Sequence, residues 1–151
     1  MKIRIFAIEK SSDSITKELE NYYKKLSSPF AKIELNSVSN KEILKAQQLG
    51  VKEAQNSYTK ALKPHINGFS IALDPLGESV DSKGFAKLLL DSPIINFFIG
   101  GAYGFEDEFL NLNQKVISLS RLTYAHKIAK VVLLEQIYRG LSINGGHPYH
   151  K

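Results

Sequence analysis

Three stretches of this chain combine residue types that can do chemistry with spacing that brings them together. The first is Gly100-Gly101-Ala102-Tyr103-Gly104, which follows the apolar run Ile94 to Ile99 at once. Glycines just past a buried strand let a ligand approach the backbone, because no Cβ intervenes. In an open α/β sheet, ligands bind beyond the carboxyl ends of the strands. The spacing is not G-x-G-x-x-G, no acidic residue follows at the dinucleotide distance, and no G-K-[ST] loop occurs. A nucleotide phosphate is therefore not the expected ligand. The second stretch is Leu119-Ser120-Arg121-Leu122-Thr123-Tyr124. It leaves a strand and enters a helix with hydroxyls and amides free to bond the edge of a purine. A plain helix cap from Ser120 or Thr123 reads the same residues.

The third stretch is the tail His147-Pro148-Tyr149-His150-Lys151, with Arg139 one helix turn or more before it. Two imidazoles, a phenol and two bases can contact phosphates, stack on a nucleobase or move a proton. No carboxylate stands near His147 and His150 to complete a ligand set, so no metal is expected. G-x-S-x-G, H-E-x-x-H and Walker patterns are absent. Asp74 and Glu78 read as parts of a turn, and His65 lies in a loop with no assigned role. Tyr22-Tyr23-Lys24-Lys25 reads as core plus solvated face.

Composition narrows the chemistry. The chain has 151 residues, 43% hydrophobic and 23% charged, which suits one globular domain spanning 1–151. It has no cysteine, which excludes disulfides, zinc–thiolate sites, iron–sulfur clusters and a thiol nucleophile. Net charge is +5, and from Arg121 onward five bases stand against one acid, Glu135. That skew permits nucleic-acid contact beside the second and third stretches. The first residues, MKIRIFAIEK, alternate and do not read as a signal peptide. No apolar run nears the ~20 residues of a membrane span, so no membrane partner is expected.

The elements that position these stretches alternate between periods of two and of 3.6. Lys2 to Ile8 and Lys32 to Val38 read as strands. Between them Ser12 or Asp13 caps a helix with Ile15, Leu19, Tyr22, Tyr23 and Leu26 along one stripe. A long helix is expected from Asn40 to Leu62, with Ile43, Leu44, Ala54 and Tyr58 inward. Phe69 to Leu73 reads as a short strand and Asp74 to Gly77 as a loop. Asp81 or Ser82 caps a short helix, Ile94 to Ile99 is a strand buried on both faces, and acidic residues 106–108 open another helix. Val116 to Leu119 is the last strand. The last helix spans Ala125 to Leu141, with Ile128, Val131, Val132, Glu135 and Tyr138 at helical spacing. Helices between strands give an α/β fold, a mainly parallel sheet covered on both faces.

An ordered set of motifs carries a family resemblance: LDPLG at Leu73 to Gly77, FFIGGAYGF at Phe97 to Phe105, ISLSRLTYAHKIAKVVLLEQIYRGLSI at Ile117 to Ile143, then HPYHK. The chain resembles, over its whole length, the small SPOUT (α/β-knot) methyltransferases that methylate N3 of a pseudouridine in large-subunit (23S) ribosomal RNA. The resemblance implies a C-terminal trefoil knot, a rare exception to unknotted folds, cytoplasmic location and a homodimer acting on the ribosome. It implies S-adenosylmethionine as cofactor, held at Leu73, Gly100, Leu119, Ser120, Arg121, Leu122, Thr123 and Tyr124. It places the target nucleotide at Arg139, Tyr149 and His150. Catalysis is then expected from His150 as proton acceptor and Arg139 as electrostatic stabiliser. Two positions depart from the family's usual pattern: Ala125, where proline is frequent, and Ala102-Tyr103, where a small or polar pair is common.

Overall fold

A computed structural model describes residues 1–151. Five strands form one sheet: β1 (Lys2–Ile8), β2 (Lys32–Val38), β3 (Phe69–Ser79), β4 (Ile94–Ile99) and β5 (Lys115–Ser118), in the order β2-β1-β4-β3-β5. Every pairing is parallel, with Ile5 opposite both Leu35 and Phe97. All carboxyl ends therefore share one edge.

Helices α1 (Ser14–Ser27), α4 (Ser82–Leu88) and α6 (His126–Asn144) cover one face. Their core joins Ile5, Phe97 and Ile117 to Phe85, Leu133 and Ile137. Helices α2 (Lys41–Leu49), α3 (Val51–Leu62) and α5 (Asp107–Asn111) cover the other. There Phe6, Ala72 and Phe98 meet Ile43, Tyr58, Leu62 and Phe109. Phe97 and Phe98 are both fully buried on opposite faces, as a doubly covered strand requires. Each such side chain contributes about 1.5–3 kcal/mol of hydrophobic stabilisation.

Local chemistry sets the boundaries. Asp13, Asn40 and Asp81 each accept a backbone N–H three residues on, capping α1, α2 and α4. The expected single helix from Asn40 to Leu62 is two helices. Gly50 has φ +147 and breaks it, because only glycine enters that region freely. Leu44 is exposed, not inward. The expected loop at Asp74 to Gly77 is an excursion inside a longer strand: Leu73 and Glu78 both pair with Ile117, and the four residues between them leave the sheet. Gly77 returns so close to β5 that a Cβ would sit 2.7 Å from the Ile117 carbonyl carbon.

The helix stripes differ most from expectation. Ile15, Leu19 and Tyr22 of α1 are exposed, while Thr16 and Glu20 are buried. The cause is electrostatic: Lys130 of α6, only 2% exposed, pairs with both Glu9 and Glu20 and bonds Ser12 at 2.7 Å. A buried charge needs its partners, so α1 turns Glu20 inward and leaves its apolar stripe outside. On α6 the core face is Leu133, Leu134, Ile137 and Leu141, leaving Ile128 half exposed.

Candidate active site

The carboxyl edge of the sheet holds a cavity of about 460 Å³. Its walls come from the β3 excursion (Leu73, Asp74, Pro75), the turn after β4 (Gly100, Gly101, Ala102, Gly104) and the segment after β5. His126 and Ala129 of the first turns of α6 close it. This volume lies in the range of small-molecule sites, about 300–1,000 Å³.

Each wall is held locally. The turn after β4 closes with Gly104 N–H donating to the Gly101 carbonyl at 3.1 Å, and Gly104 has φ +68, where a side chain is strained. Tyr103 faces away from the cavity: Gln55 donates to its carbonyl at 2.9 Å, and its hydroxyl donates to the Gln47 carbonyl at 3.4 Å. The departure at Ala102-Tyr103 therefore places only Ala102 in the cavity wall. After β5, Ser118 Oγ donates to the Ser120 carbonyl at 2.8 Å, and Ser120 Oγ accepts from Leu122 N–H at 3.0 Å. Ala125 precedes α6 with φ −55, within proline's own range. Lys127 pairs with Asp13 at 2.9 Å, which holds the Asp13 carboxyl well below the usual carboxylate range.

The tail makes a second cluster, folded back on α6. Gly146 takes φ +68 and His147 N–H donates to the Ser142 carbonyl at 2.8 Å, which reverses the chain. One carboxylate oxygen then collects three donors. Glu135 Oε1 accepts from Arg139 Nε at 3.0 Å, from Arg139 Nη2 at 2.5 Å and from the Tyr149 hydroxyl at 3.0 Å. Arg139 lies over the Tyr149 ring, 4.7 Å from its centroid, and that ring packs 4.5 Å from the Tyr138 ring. Arg139 Nη1 is 3.3 Å from His150 Nδ1. Burial, then the bond to Glu135 and its charge, push the Tyr149 phenol up to about 12. The Glu135 bond raises the Arg139 guanidinium further above its ordinary range.

Of the residues expected to hold a cofactor, Leu73, Gly100, Leu119, Ser120, Leu122, Thr123 and Tyr124 line the cavity; Arg121 does not, and its side chain is exposed. Arg139, Tyr149 and His150 come together in the second cluster. The two clusters do not meet within one chain. His126 and Arg139 are thirteen residues apart on one helix, about 20 Å at roughly 1.5 Å per residue. Sequence reasoning missed Asp74, His126 and Ala129 in the cavity, and it missed Glu135 as the hub of the tail. The i,i+4 spacing of Glu135 and Arg139 was the available signal.

Comparison with known proteins matches this architecture. A family model described as predicted SPOUT methyltransferase covers residues 1–150. Three similar proteins are each named ribosomal RNA large subunit methyltransferase H. That of Sulfurovum sp. (strain NBC37-1) is 51% identical over 153 residues, that of Aliarcobacter butzleri (strain RM4018) 50% over 151, and that of Campylobacter concisus (strain 13826) 47% over 152. Each alignment spans 100% of both chains. This chain belongs to the SPOUT methyltransferase family.

Proposed function

We propose that the protein uses S-adenosylmethionine to methylate N3 of a pseudouridine in the 23S ribosomal RNA of the large subunit, in the cytoplasm and as a homodimer. The lining of the cavity carries the reading. It has a carboxylate, Asp74, no lysine or arginine, apolar side chains such as Leu73 and Ile99, and bare backbone at Gly100 and Gly101. Such a lining suits a cofactor that is cationic and carries a flat purine, and it disfavours phosphates. Leu73, Gly100, Leu119, Ser120, Leu122, Thr123 and Tyr124 hold it, with Arg121 outside the lining. The α/β knot of the family is part of the same reading.

The bound cofactor supplies a methyl group already activated as a sulfonium. The chain must hold N3 in line with that methyl and exclude water. N3 carries a proton that must leave, so the site needs a group that stabilises the resulting anion. Arg139 supplies the positive charge and His150 is its catalytic partner. Tyr149 offers a ring for an unpaired base to stack on.

The separation of about 20 Å along α6 supports the homodimer. A second copy brings its own Arg139, Tyr149 and His150 to this cavity, and a two-fold arrangement completes two sites at once. The exposed apolar residues Ile15, Leu19, Tyr22, Leu122 and Ile128 provide a surface for such a contact. The test is transfer of labelled methyl groups to ribosomes from cells lacking the protein. Incorporation into large-subunit RNA is expected. Ribosome binding without transfer, and without calorimetric binding of the cofactor, would leave only a non-catalytic ribosome-binding module.

A further inference from the structure

A guanidinium has only donors and stays charged. The 3.3 Å contact between Arg139 Nη1 and His150 Nδ1 is therefore a hydrogen bond only when Nδ1 accepts. In a neutral imidazole that places the ring hydrogen on Nε2. The direction of Nη1 is not set by His150. Two bonds from Nε and Nη2 to Glu135 fix the plane of the guanidinium, and the Tyr149 ring lies against its face. Glu135 is itself held, since Gln136 Nε2 donates to its Oε2 at 2.6 Å.

We propose that Glu135 is a positioning residue for the reaction: through Arg139 it holds His150 as the tautomer that carries its hydrogen on Nε2. This rests on the reading of Arg139, Tyr149 and His150 as the group that holds the target nucleotide. The N3 proton then goes to solvent water, not to His150. Its departure leaves negative charge spread over O2 and O4 of the base. The Nε2–H of His150 and the free edge of Arg139 are donors suited to those oxygens. His150, a proton acceptor by sequence reasoning, becomes a hydrogen-bond donor. Glu135 also keeps Tyr149 in place by accepting from its hydroxyl, which stays protonated through the physiological range.

The test reads the ring nitrogens of His150 by NMR in the full-length protein, isotope-labelled at histidine, at about pH 8, above the ordinary histidine range. The spectrum lost in His150→Gln assigns the signal. Wild type is expected to show a protonated Nε2 and a bare Nδ1. Glu135→Gln, nearly isosteric, and Arg139→Lys are expected to mix the tautomers. Glu135→Gln should also slow single-turnover methyl transfer at saturating ribosome by about 10–100-fold, the range seen when the carboxylate that orients a functional histidine is lost. A protonated Nδ1 in wild type overturns the proposal. So does Glu135→Gln that mixes the tautomers but transfers methyl at the wild-type rate. A wild-type protein that methylates no ribosome sinks the functional reading instead, and the tautomer signal still decides the part played by Glu135.

Discussion

Gly101 lies directly against Tyr58: a Cβ on Gly101 would stand 2.5 Å from the Tyr58 hydroxyl oxygen and 2.7 Å from the ring carbon that bears it. Tyr58 is fully buried on α3 and cannot retreat. The glycine is thus required by the packing beneath the cavity as much as by the cavity. Gly101→Ala must push the turn after β4 outward. Overpacking of this kind costs about 1–3 kcal/mol. A lower denaturation midpoint and weaker cofactor binding by calorimetry are expected together. An unchanged midpoint would show that the turn yields without cost.

Arg121 points away from the cavity that its neighbours line. It is suited to a phosphate of the RNA and not to the cofactor. Arg121→Ala should leave cofactor affinity unchanged. It should weaken ribosome binding and reduce the salt slope by about 0.7, the value for one neutralised phosphate on a single strand. Titrations of both ligands at several salt concentrations measure this. A loss of cofactor affinity alone would return Arg121 to the cavity.

Ala125 already has a backbone angle within proline's own range, with φ −55. It stands just before the first helical residue, where a proline displaces no intrahelical bond. Ala125→Pro is expected to stabilise the protein by about 0.4–1 kcal/mol, by restricting the unfolded chain. A thermal melt decides, and a lowered midpoint would mean that Tyr124 cannot take the extended form required before proline.

Tyr149 ties the tail to α6, and its phenol is pushed up to about 12. An unfolded tyrosine titrates near 10. The folded form thus holds its proton where the unfolded form has lost it. The contribution is complete below about pH 10 and declines as pH rises toward 12. Phenolate absorbance should show Tyr149 as one late-titrating component beside those of Tyr23 and Tyr58, which burial also raises. That component should vanish in Tyr149→Phe, and in Glu135→Gln it should move to lower pH, with loss of the Glu135 charge.

Much of this was legible in the chain because it is local. Period-two runs marked β1 and β2, the continuous apolar run Ile94 to Ile99 marked β4, and Asp13 and Asp81 announced helix starts through their own side chains. The turn after β4 and the run Leu119 to Tyr124 were legible because a parallel sheet puts its site at the carboxyl ends. What was hidden depends on distant partners. The stripe of α1 was read inward because nothing nearby reveals that Lys130 draws Glu20 into the core. Gly50 was read as a mid-helix residue because its φ is invisible in sequence. Glu135 was read as one more helical position because its role appears only when the tail folds back to place Tyr149 on it.

Mapping the modified nucleotide tests the central claim most directly. Ribosomes from cells lacking the protein are treated with the purified protein and S-adenosylmethionine, and the RNA is digested and sequenced by mass spectrometry. One added methyl group on N3 of one pseudouridine in the large-subunit RNA is the predicted result. A methyl group on another atom, on another RNA, or none at all would contradict it.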